Sequence, residues 1–141
     1  MMRPEKVRVS TSVNPLTAQA PGEPLNFSII VPTYNRSEML AGLLKSFQSM
    51  RIPEGVTWEI VVVNNNSSDD TRHVIDGFIH EGFLPLRYRL EMRQGAAHAR
   101  NSGIHAARGK ILAFVDDDEM VVEDWLAVVP AELGEGGHAL G

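Results

Sequence analysis

The 141-residue chain contains no cysteine, which excludes disulfide bonds and thiolate metal sites. It also lacks any apolar run close to the ~18 residues of a membrane-spanning helix, and its start has no apolar core of a secretory signal. Basic residues are in the minority, with 13 Lys and Arg against 18 Asp and Glu and a net charge of −5. This balance argues against nucleic-acid binding, which usually needs a basic face. We therefore expect a cytoplasmic protein, either free or at the inner face of the membrane.

The composition is that of an ordinary globular domain, with 43% apolar and 22% charged residues. Residues 1–25 mix Pro, Ser, Thr and charges without any period, which predicts a flexible leader with a short extended piece at Val7–Val9. A single domain is expected over residues 26–133. The glycine-rich residues 134–141 are predicted to be a frayed tail.

Four short apolar runs predict β-strands. They are Phe27–Val31, Trp58–Val63, Leu86–Leu90 and Lys110–Val115. Pro32 is expected to end the first of them, because proline cannot donate to a strand ladder.

Helical patterns separate these strands. The first helix has apolar residues at Leu40, Leu43, Leu44 and Phe47, and Ser37 or a neighbour is expected to cap it. The second has apolar residues at Val74, Ile75, Phe78 and Ile79, and Gly82 follows its end. The third covers Ala96–Ala107. A further helix is expected from Glu123, disturbed at Pro130. The β-α-β-α-β-α-β order predicts an α/β fold, a mostly parallel Rossmann-like sheet with helices on both faces.

Three polar blocks follow predicted strands, at Thr33–Arg36, Asn64–Asp70 and Asp116–Glu119. In parallel sheets, ligands bind beyond the carboxyl ends of the strands. We therefore expect these blocks to meet in one crevice.

The acidic block is the first candidate for chemistry. Asp116 and Asp118 are two residues apart, so in an extended segment they face the same side and could share Mg²⁺ or Mn²⁺. The alternative is a solvated acidic turn or a helix start that favours negative charge.

Other polar residues offer weaker signals. Tyr34 could stack on a base, the Thr33 hydroxyl could bind phosphate, an Asn64 amide could pair with a base, and the Arg100 guanidinium could contact phosphates. Each has a structural alternative: Thr and Asn are common in turns and caps, and Arg100 could be an ordinary surface residue.

Four ordered segments together resemble the nucleotide-sugar-binding half of the family 2 glycosyltransferases, which have the GT-A fold. The segments are Ser28–Arg36 (SIIVPTYNR), Glu59–Thr71 (EIVVVNNNSSDDT), Gly95–Gly103 (GAAHARNSG) and Phe114–Asp118 (FVDDD). The resemblance covers roughly residues 27–133. It implies that Thr33 and Tyr34 line the nucleoside pocket, that the Asn64 block meets the base, and that Arg100 helps to hold the nucleotide. Family members usually have Asp where this chain has Asn64; both side chains can accept from a base N–H, but the negative charge is absent here.

The resemblance also implies a DxD metal pair, with Asp118 the more direct ligand and Asp116 nearer the ribose or a metal-bound water. The expected metal is Mg²⁺ or Mn²⁺, held by Asp116 and Asp118. The expected nucleotide-sugar-binding residues are Pro32, Thr33, Tyr34, Asn35, Arg36, Asn64, Asn65, Arg100, Asp116 and Asp117.

The implied activity is an inverting sugar transfer from a nucleotide-diphosphate-sugar, with a UDP-sugar favoured, to a saccharide or lipid-linked acceptor. Family members carry a second half with the acceptor pocket and catalytic base, and no carboxylate here matches that base. We therefore expect a C-terminally truncated transferase whose base lies beyond Gly141, with exposed sheet or helix surface that favours self-association.

Two other functions were weighed. One is a non-catalytic nucleotide-sugar-binding module that regulates or pairs with a partner. The other is a nucleotidyltransferase, which the sequence disfavours because Pro32–Arg36 replaces the glycine-rich basic loop expected after the first strand.

Overall fold

The computed structural model of the protein describes residues 9–14 and 25–125. Within them the chain forms β1 (Val9–Val13), β2 (Leu25–Thr33), α1 (Ser37–Gln48), β3 (Trp58–Asn64), α2 (Thr71–Glu81), β4 (Leu86–Leu90), α3 (Ala96–Ala106) and β5 (Gly109–Val115). The alternation of strands and helices from β2 onward is the one that the sequence predicts.

The strands form one twisted sheet in the order β1-β5-β2-β3-β4. The pairs β2–β3, β2–β5 and β3–β4 are parallel, whereas β1 runs antiparallel to β5 at the edge. The predicted α/β, mostly parallel architecture is therefore confirmed. All the parallel strands end at the same edge, where the loops after β2, β3 and β5 follow.

Strand β1 lies inside the range that composition predicts as a leader. The expected extended piece at Val7–Val9 shares only Val9 with the observed strand, Val9–Val13. The segment reads VSTSV, and its β-branched residues suit an edge strand. The domain limits 26–133 remain a prediction, and residues 126–141, with the expected helix around Pro130 and the tail, lie outside the described residues.

Two apolar layers cover the sheet. Helices α1 and α2 cover one face, where the predicted stripe Leu40, Leu43, Leu44 and Phe47 is buried against Ile29, Val31, Ile60 and Val62. Helix α3 covers the other face, over Ile30, Val61 and Val63. Each fully buried side chain of this size contributes about 1.5–3 kcal/mol, so the two layers fix the sheet between them.

Helix α3 lies unusually close to the sheet because its inner face carries small residues. A Cβ atom at Gly103 would lie 2.4 Å from Ile30 Cγ2, so only glycine fits without displacement. The close contact sets where the beginning of α3 stands relative to the strand ends.

Pro32 does not end its strand, contrary to the sequence prediction. β2 continues to Thr33, which pairs with Asn64 of β3, whereas the last pair between β2 and β5 is Ile30 with Phe114. The Thr33 carbonyl accepts the Asn65 N–H on the β3 side. Neighbouring residues of a strand direct their backbone groups to opposite sides, so the donor that Pro32 lacks would have faced β5. The proline ends one ladder and leaves the other intact.

The start of α1 also differs from the prediction. Ser37 is the first residue of the helix, Arg36 is its N-cap, and neither side chain caps it. Instead the Asp69 carboxylate, from the loop after β3, accepts the Ser37 N–H at 3.2 Å and the Thr71 N–H at 3.0 Å. One carboxylate therefore serves the first turns of both α1 and α2. Sequence spacing could not show this cap, because its donor and acceptor are 32 residues apart.

None of the helices in the described part of the chain has the length and apolar character needed to cross a bilayer.

Candidate functional site

An open cleft of about 610 Å³ lies at the carboxyl ends of β2, β3 and β5, next to the start of α3. The predicted convergence of the three polar blocks is seen here. The lining residues are Pro32, Thr33, Tyr34, Arg36, Asn65, Gln94, Gly95, Ala96, Ala99, Arg100, Asp116, Asp117 and Asp118. Most of the residues expected to bind the nucleotide-sugar thus stand on one wall or another of the same cleft.

The acidic cluster, which we define as Asp116, Asp118 and Glu119, stands where the chain leaves β5. One carboxylate oxygen of each residue lies within 4.8 Å of the others. A tight turn produces this arrangement, since the Glu119 N–H donates to the Asp116 carbonyl at 3.1 Å. Sequence spacing predicted Asp116 and Asp118 but gave Glu119 no role. In an extended segment the Glu119 side chain would face the side opposite to these two aspartates. Three convergent carboxylates are a donor set that suits Mg²⁺ or Mn²⁺.

Asp117 lies outside the acidic cluster and is largely buried. It is 7% exposed and accepts the Thr33 hydroxyl at 2.9 Å and the Arg36 guanidinium at 3.4 Å. Burial raises the pKa of this carboxyl, against the hydrogen bond from Thr33 and the charge of Arg36, which lower it. Asp117 therefore ties the loop after β2 to the loop after β5, and its position is that of an anchor within the cleft.

Arg36 is the cation nearest to these carboxylates among the ion pairs of the described residues. Its guanidinium lies 3.4 Å from Asp117 and 3.6 Å from Asp118. The side chain is 51% exposed, so water screens the pair and leaves the guanidinium room to move.

Asn65 holds the wall formed by the loop after β4. Its amide nitrogen donates to the carbonyls of Glu91 at 3.0 Å and Arg93 at 2.7 Å, and its oxygen accepts the Gly95 N–H at 3.0 Å. The Gln94 side chain donates in turn to the Asn65 carbonyl. The Asn65 amide hydrogens are thus both used within the protein, although the residue lines the cleft. Its structural part is to hold this loop.

Residues of this wall were missed as site residues from the sequence. Gln94, Gly95, Ala96 and Ala99 line the cleft, but none of them is among the residues expected to bind the nucleotide-sugar. The usable signal was the glycine: Gly95 has φ +134°, which side chains rarely adopt, so a glycine is needed where the chain turns into α3.

Two predicted residues do not line the cleft. Asn64 is buried, donates to the Tyr88 hydroxyl at 3.1 Å and accepts the Ser67 N–H at 3.0 Å. Asn35 has φ +51° and accepts the Ser68 N–H at 2.7 Å. The Asn64 amide thus links the end of β3 to β4, and the Asn35 amide links the loops after β2 and β3, a turn role that Asn often fills.

Tyr34 and Arg100 stand on opposite walls with their side chains open to the cleft. The Tyr34 ring is half-exposed, as a stacking platform for a planar ligand would be. Arg100 is exposed on the first turns of α3 and makes no hydrogen bond or ion pair with the residues that the structure describes. Its guanidinium carries five N–H donors, none of which is bonded to a described residue.

The charge of the described lining residues bears on what the cleft can hold. Among them, three aspartates and two arginines give a formal charge of −1. On its own such a lining does not favour a diphosphate. A divalent cation on the acidic cluster would reverse the sign and make the same cleft attractive to the diphosphate.

Comparison with known proteins identifies the family. The family model described as glycosyl transferase family 2 matches residues 28–141, well over half of the chain. The chain belongs to glycosyl transferase family 2. The resemblance seen in the four sequence segments is therefore confirmed.

Curated relatives of this family 2 chain include the GalNAc(5)-diNAcBac-PP-undecaprenol beta-1,3-glucosyltransferase of Campylobacter jejuni. It is 32% identical over 117 residues, which are 81% of this chain and 37% of that protein.

Solved structures of family relatives share the fold. TarS of S. aureus (residues 1–349) in complex with UDP-GlcNAc is 29% identical with a TM-score of 0.68, covering 79% of this chain and 32% of that one. The mannosyltransferase PcManGT of Pyrobaculum calidifontis in complex with GDP-Man and Mn²⁺ is 27% identical with a TM-score of 0.71, covering 93% and 37%. The family 2 chain thus spans about a third of the length of these relatives.

Proposed function

We propose that this chain forms the donor-binding part of an inverting glycosyltransferase that takes a nucleotide-diphosphate-sugar with a divalent metal. The observation that carries the proposal is the cleft itself. It joins a cluster of three carboxylates, an exposed aromatic ring and two guanidinium groups at the carboxyl edge of the sheet.

The acidic cluster is assigned to the metal. Asp118 and Asp116, joined by Glu119, would hold Mg²⁺ or Mn²⁺, and such an ion, when bound, neutralises charge that develops on the leaving diphosphate. The fit rests on the chemistry of the donors, since hard dications prefer several carboxylate oxygens that converge. The Mn²⁺ in the PcManGT complex supports the same assignment.

The remaining lining is assigned to the nucleotide. Tyr34 would stack on the base, and Arg100, which makes no pair with the described residues, would bind the phosphate oxygens. Pro32 and Thr33 would form the floor beneath the nucleoside. Asn65 would act by holding the wall of residues 91–95 rather than through its amide hydrogens, which donate within the protein.

The proposed donor is a UDP-sugar, in line with the UDP-GlcNAc complex of TarS, with a GDP-sugar as the alternative that the GDP-Man complex of PcManGT suggests. The proposed acceptor is a saccharide or a lipid-linked saccharide, as the name of the Campylobacter jejuni relative suggests. We propose a cytoplasmic site of action, which the lack of cysteine supports. No described carboxylate is assigned the role of base.

Calorimetry tests the proposal. UDP, UDP-GlcNAc and GDP are titrated into the chain with Mn²⁺, and again with EDTA. We expect binding with Mn²⁺ and at least about tenfold weaker binding in Asp118→Ala, because even groups that only support a metal ligand cost 10- to 100-fold. Asp124→Ala is the matched control, since Asp124 pairs with Arg51 away from the cleft. Equal affinity with and without metal would contradict the metal assignment.

A further inference from the structure

The Arg36 guanidinium lies where it would repel a cation bound at Asp118. Its guanidinium lies 3.6 Å from Asp118, the aspartate assigned as the main metal ligand, and 3.4 Å from Asp117. A dication brought to Asp118 would meet this positive charge at short range. Repulsion between the two lowers the affinity for the ion, by an amount that depends on how well water screens the pair.

The backbone of Arg36 is fixed while its side chain is not. The Arg36 carbonyl accepts the Leu40 N–H at 2.9 Å as the N-cap of α1, so the main chain cannot shift without breaking the helix start. The side chain is 51% exposed and bonded only at its end. A new partner for the guanidinium is therefore reached by rotation about the side-chain bonds, with the loop left in place.

The two arginines of the cleft are held differently. Arg100 is without a pair among the described residues and is ready for an anion, whereas Arg36 is engaged by carboxylates. A diphosphate that arrives with a metal offers Arg36 phosphate oxygens in exchange for the aspartates. The ion then takes the carboxylates that Arg36 releases.

We propose that Arg36 is a positioning residue that couples metal binding to nucleotide binding. With the cleft empty it pairs with Asp117 and Asp118 and weakens binding of the ion alone. With a nucleoside diphosphate present it turns to the phosphates and frees Asp118 for the ion. Coupling of this kind is reciprocal: the factor by which the nucleotide raises the affinity for the ion equals the factor by which the ion raises the affinity for the nucleotide. This inference rests on the donor-binding function proposed above.

The test is a titration of Mn²⁺ alone at low ionic strength, followed by electron paramagnetic resonance of the free ion. The chains compared are the wild type, Arg36→Gln, Arg36→Lys and the control Arg51→Gln, which removes an arginine that pairs with Glu123 and Asp124. We expect Arg36→Gln to bind Mn²⁺ roughly three- to tenfold more tightly than the wild type, since the pair is partly exposed. Arg36→Lys keeps the charge and should stay near the wild type, as should Arg51→Gln.

The same four chains are then titrated with UDP at saturating Mn²⁺. We expect Arg36→Gln to bind UDP several-fold more weakly, the opposite sign to its effect on the ion. Such opposite shifts are not produced by a general loss of structure, which would weaken both.

Equal or weaker Mn²⁺ binding by Arg36→Gln overturns the inference and leaves the proposed function standing. Unchanged UDP binding by Arg36→Gln overturns it as well. Absence of Mn²⁺ binding in every chain, with and without UDP, overturns the proposed metal site and this inference together.

Discussion

The two ends of the sheet carry carboxylates in opposite situations. At the amino ends of the strands, the Glu59 carboxylate is 3% exposed and accepts the Ser28 hydroxyl at 2.6 Å, Arg87 at 2.7 Å and the Arg108 N–H at 2.7 Å. We call these four residues the amino-end network. Each oxygen of Glu59 has a short bond to a donor.

At the carboxyl ends several carboxylates lie side by side at the cleft. Asp116, Asp117 and Asp118 line the cleft, and Arg36 reaches two of them at 3.4 and 3.6 Å. Adjacent carboxylates repel each other, and repulsion is relieved when a cation binds. A buried carboxylate with all its donors in place stabilises the fold, whereas converging, partly exposed carboxylates are suited to bind a cation. Substitutions at the two ends should therefore change different quantities.

The largest expected effect on stability is at the amino end. Glu59→Ala would leave the buried Ser28 hydroxyl and the Arg108 N–H without their acceptor. Arg87 would lose the carboxylate with which it forms an ion pair. Removing one member of a buried pair costs 3–5 kcal/mol, and because Arg87 is 37% exposed we expect about 3 kcal/mol. Urea unfolding measures it. The matched change Asp118→Ala at the other end should alter the free energy of unfolding by less than about 0.5 kcal/mol. Equal losses would remove the distinction between the two ends.

The next effect concerns the wall of the cleft. In Asn65→Asp, a carboxylate would face the carbonyls of Glu91 and Arg93 with no hydrogen to donate to them. We expect a loss of about 2 kcal/mol, the cost of buried groups left unpaired, and weaker nucleotide binding. Hydrogen exchange at residues 91–95 should speed up. The control is Asn66→Asp at the exposed neighbouring residue, which should leave stability and nucleotide binding unchanged. If hydrogen exchange at residues 91–95 stays as slow in Asn65→Asp as in the wild type, the proposed role of Asn65 is wrong.

The smallest expected effect concerns Asp69, which lies in the loop after β3 at the carboxyl end of the sheet. Burial alone would raise the pKa of Asp69, but hydrogen bonds from Thr71 and Ser37 outweigh it and hold the pKa below its usual value. A lowered pKa contributes stability that is present above the unfolded pKa, about 3.9, and is lost as the pH falls through the lower folded value. Asp69→Ala should cost about 1 kcal/mol at pH 7, as a lost helix cap does, and less at pH 3. A cost that does not change between these pH values in urea titrations would contradict this role.

Sequence pattern predicted the elements well because apolar periodicity is a local property. The stripe from Leu40 to Phe47 and the β-branched runs of β2 and β3 need only their own spacing to be recognised, and Gly82, with φ +77°, ends α2 as expected. The acidic pair Asp116 and Asp118 can also be singled out locally, from its position after a strand, and its role as a metal ligand stays a prediction.

Spacing did not show the side-chain partners and turns. The Asn64 amide forms hydrogen bonds with Tyr88 and Ser67, and its expected contact with the base stays a prediction. Glu119 belongs to the acidic cluster because the chain turns at Asp116, whereas the sequence prediction assumed an extended backbone there. Asp69 replaced Ser37 as the cap of α1 from another loop. Side-chain partners distant in sequence leave no periodic signal.

Pro32 has a consequence for how the loops after β2 and β5 are held together. β2 stays paired with β3 as far as Thr33, but its last pair with β5 is at Ile30, so residues 31–33 are unpaired on the β5 side. At 3.3 Å per residue this gap is about 10 Å long. Across it the Thr33 hydroxyl donates to the Asp117 carboxylate, so a side-chain contact stands where backbone pairing ends. The spacing of these two loops therefore depends on side chains, which single substitutions can change without altering the strand ladders.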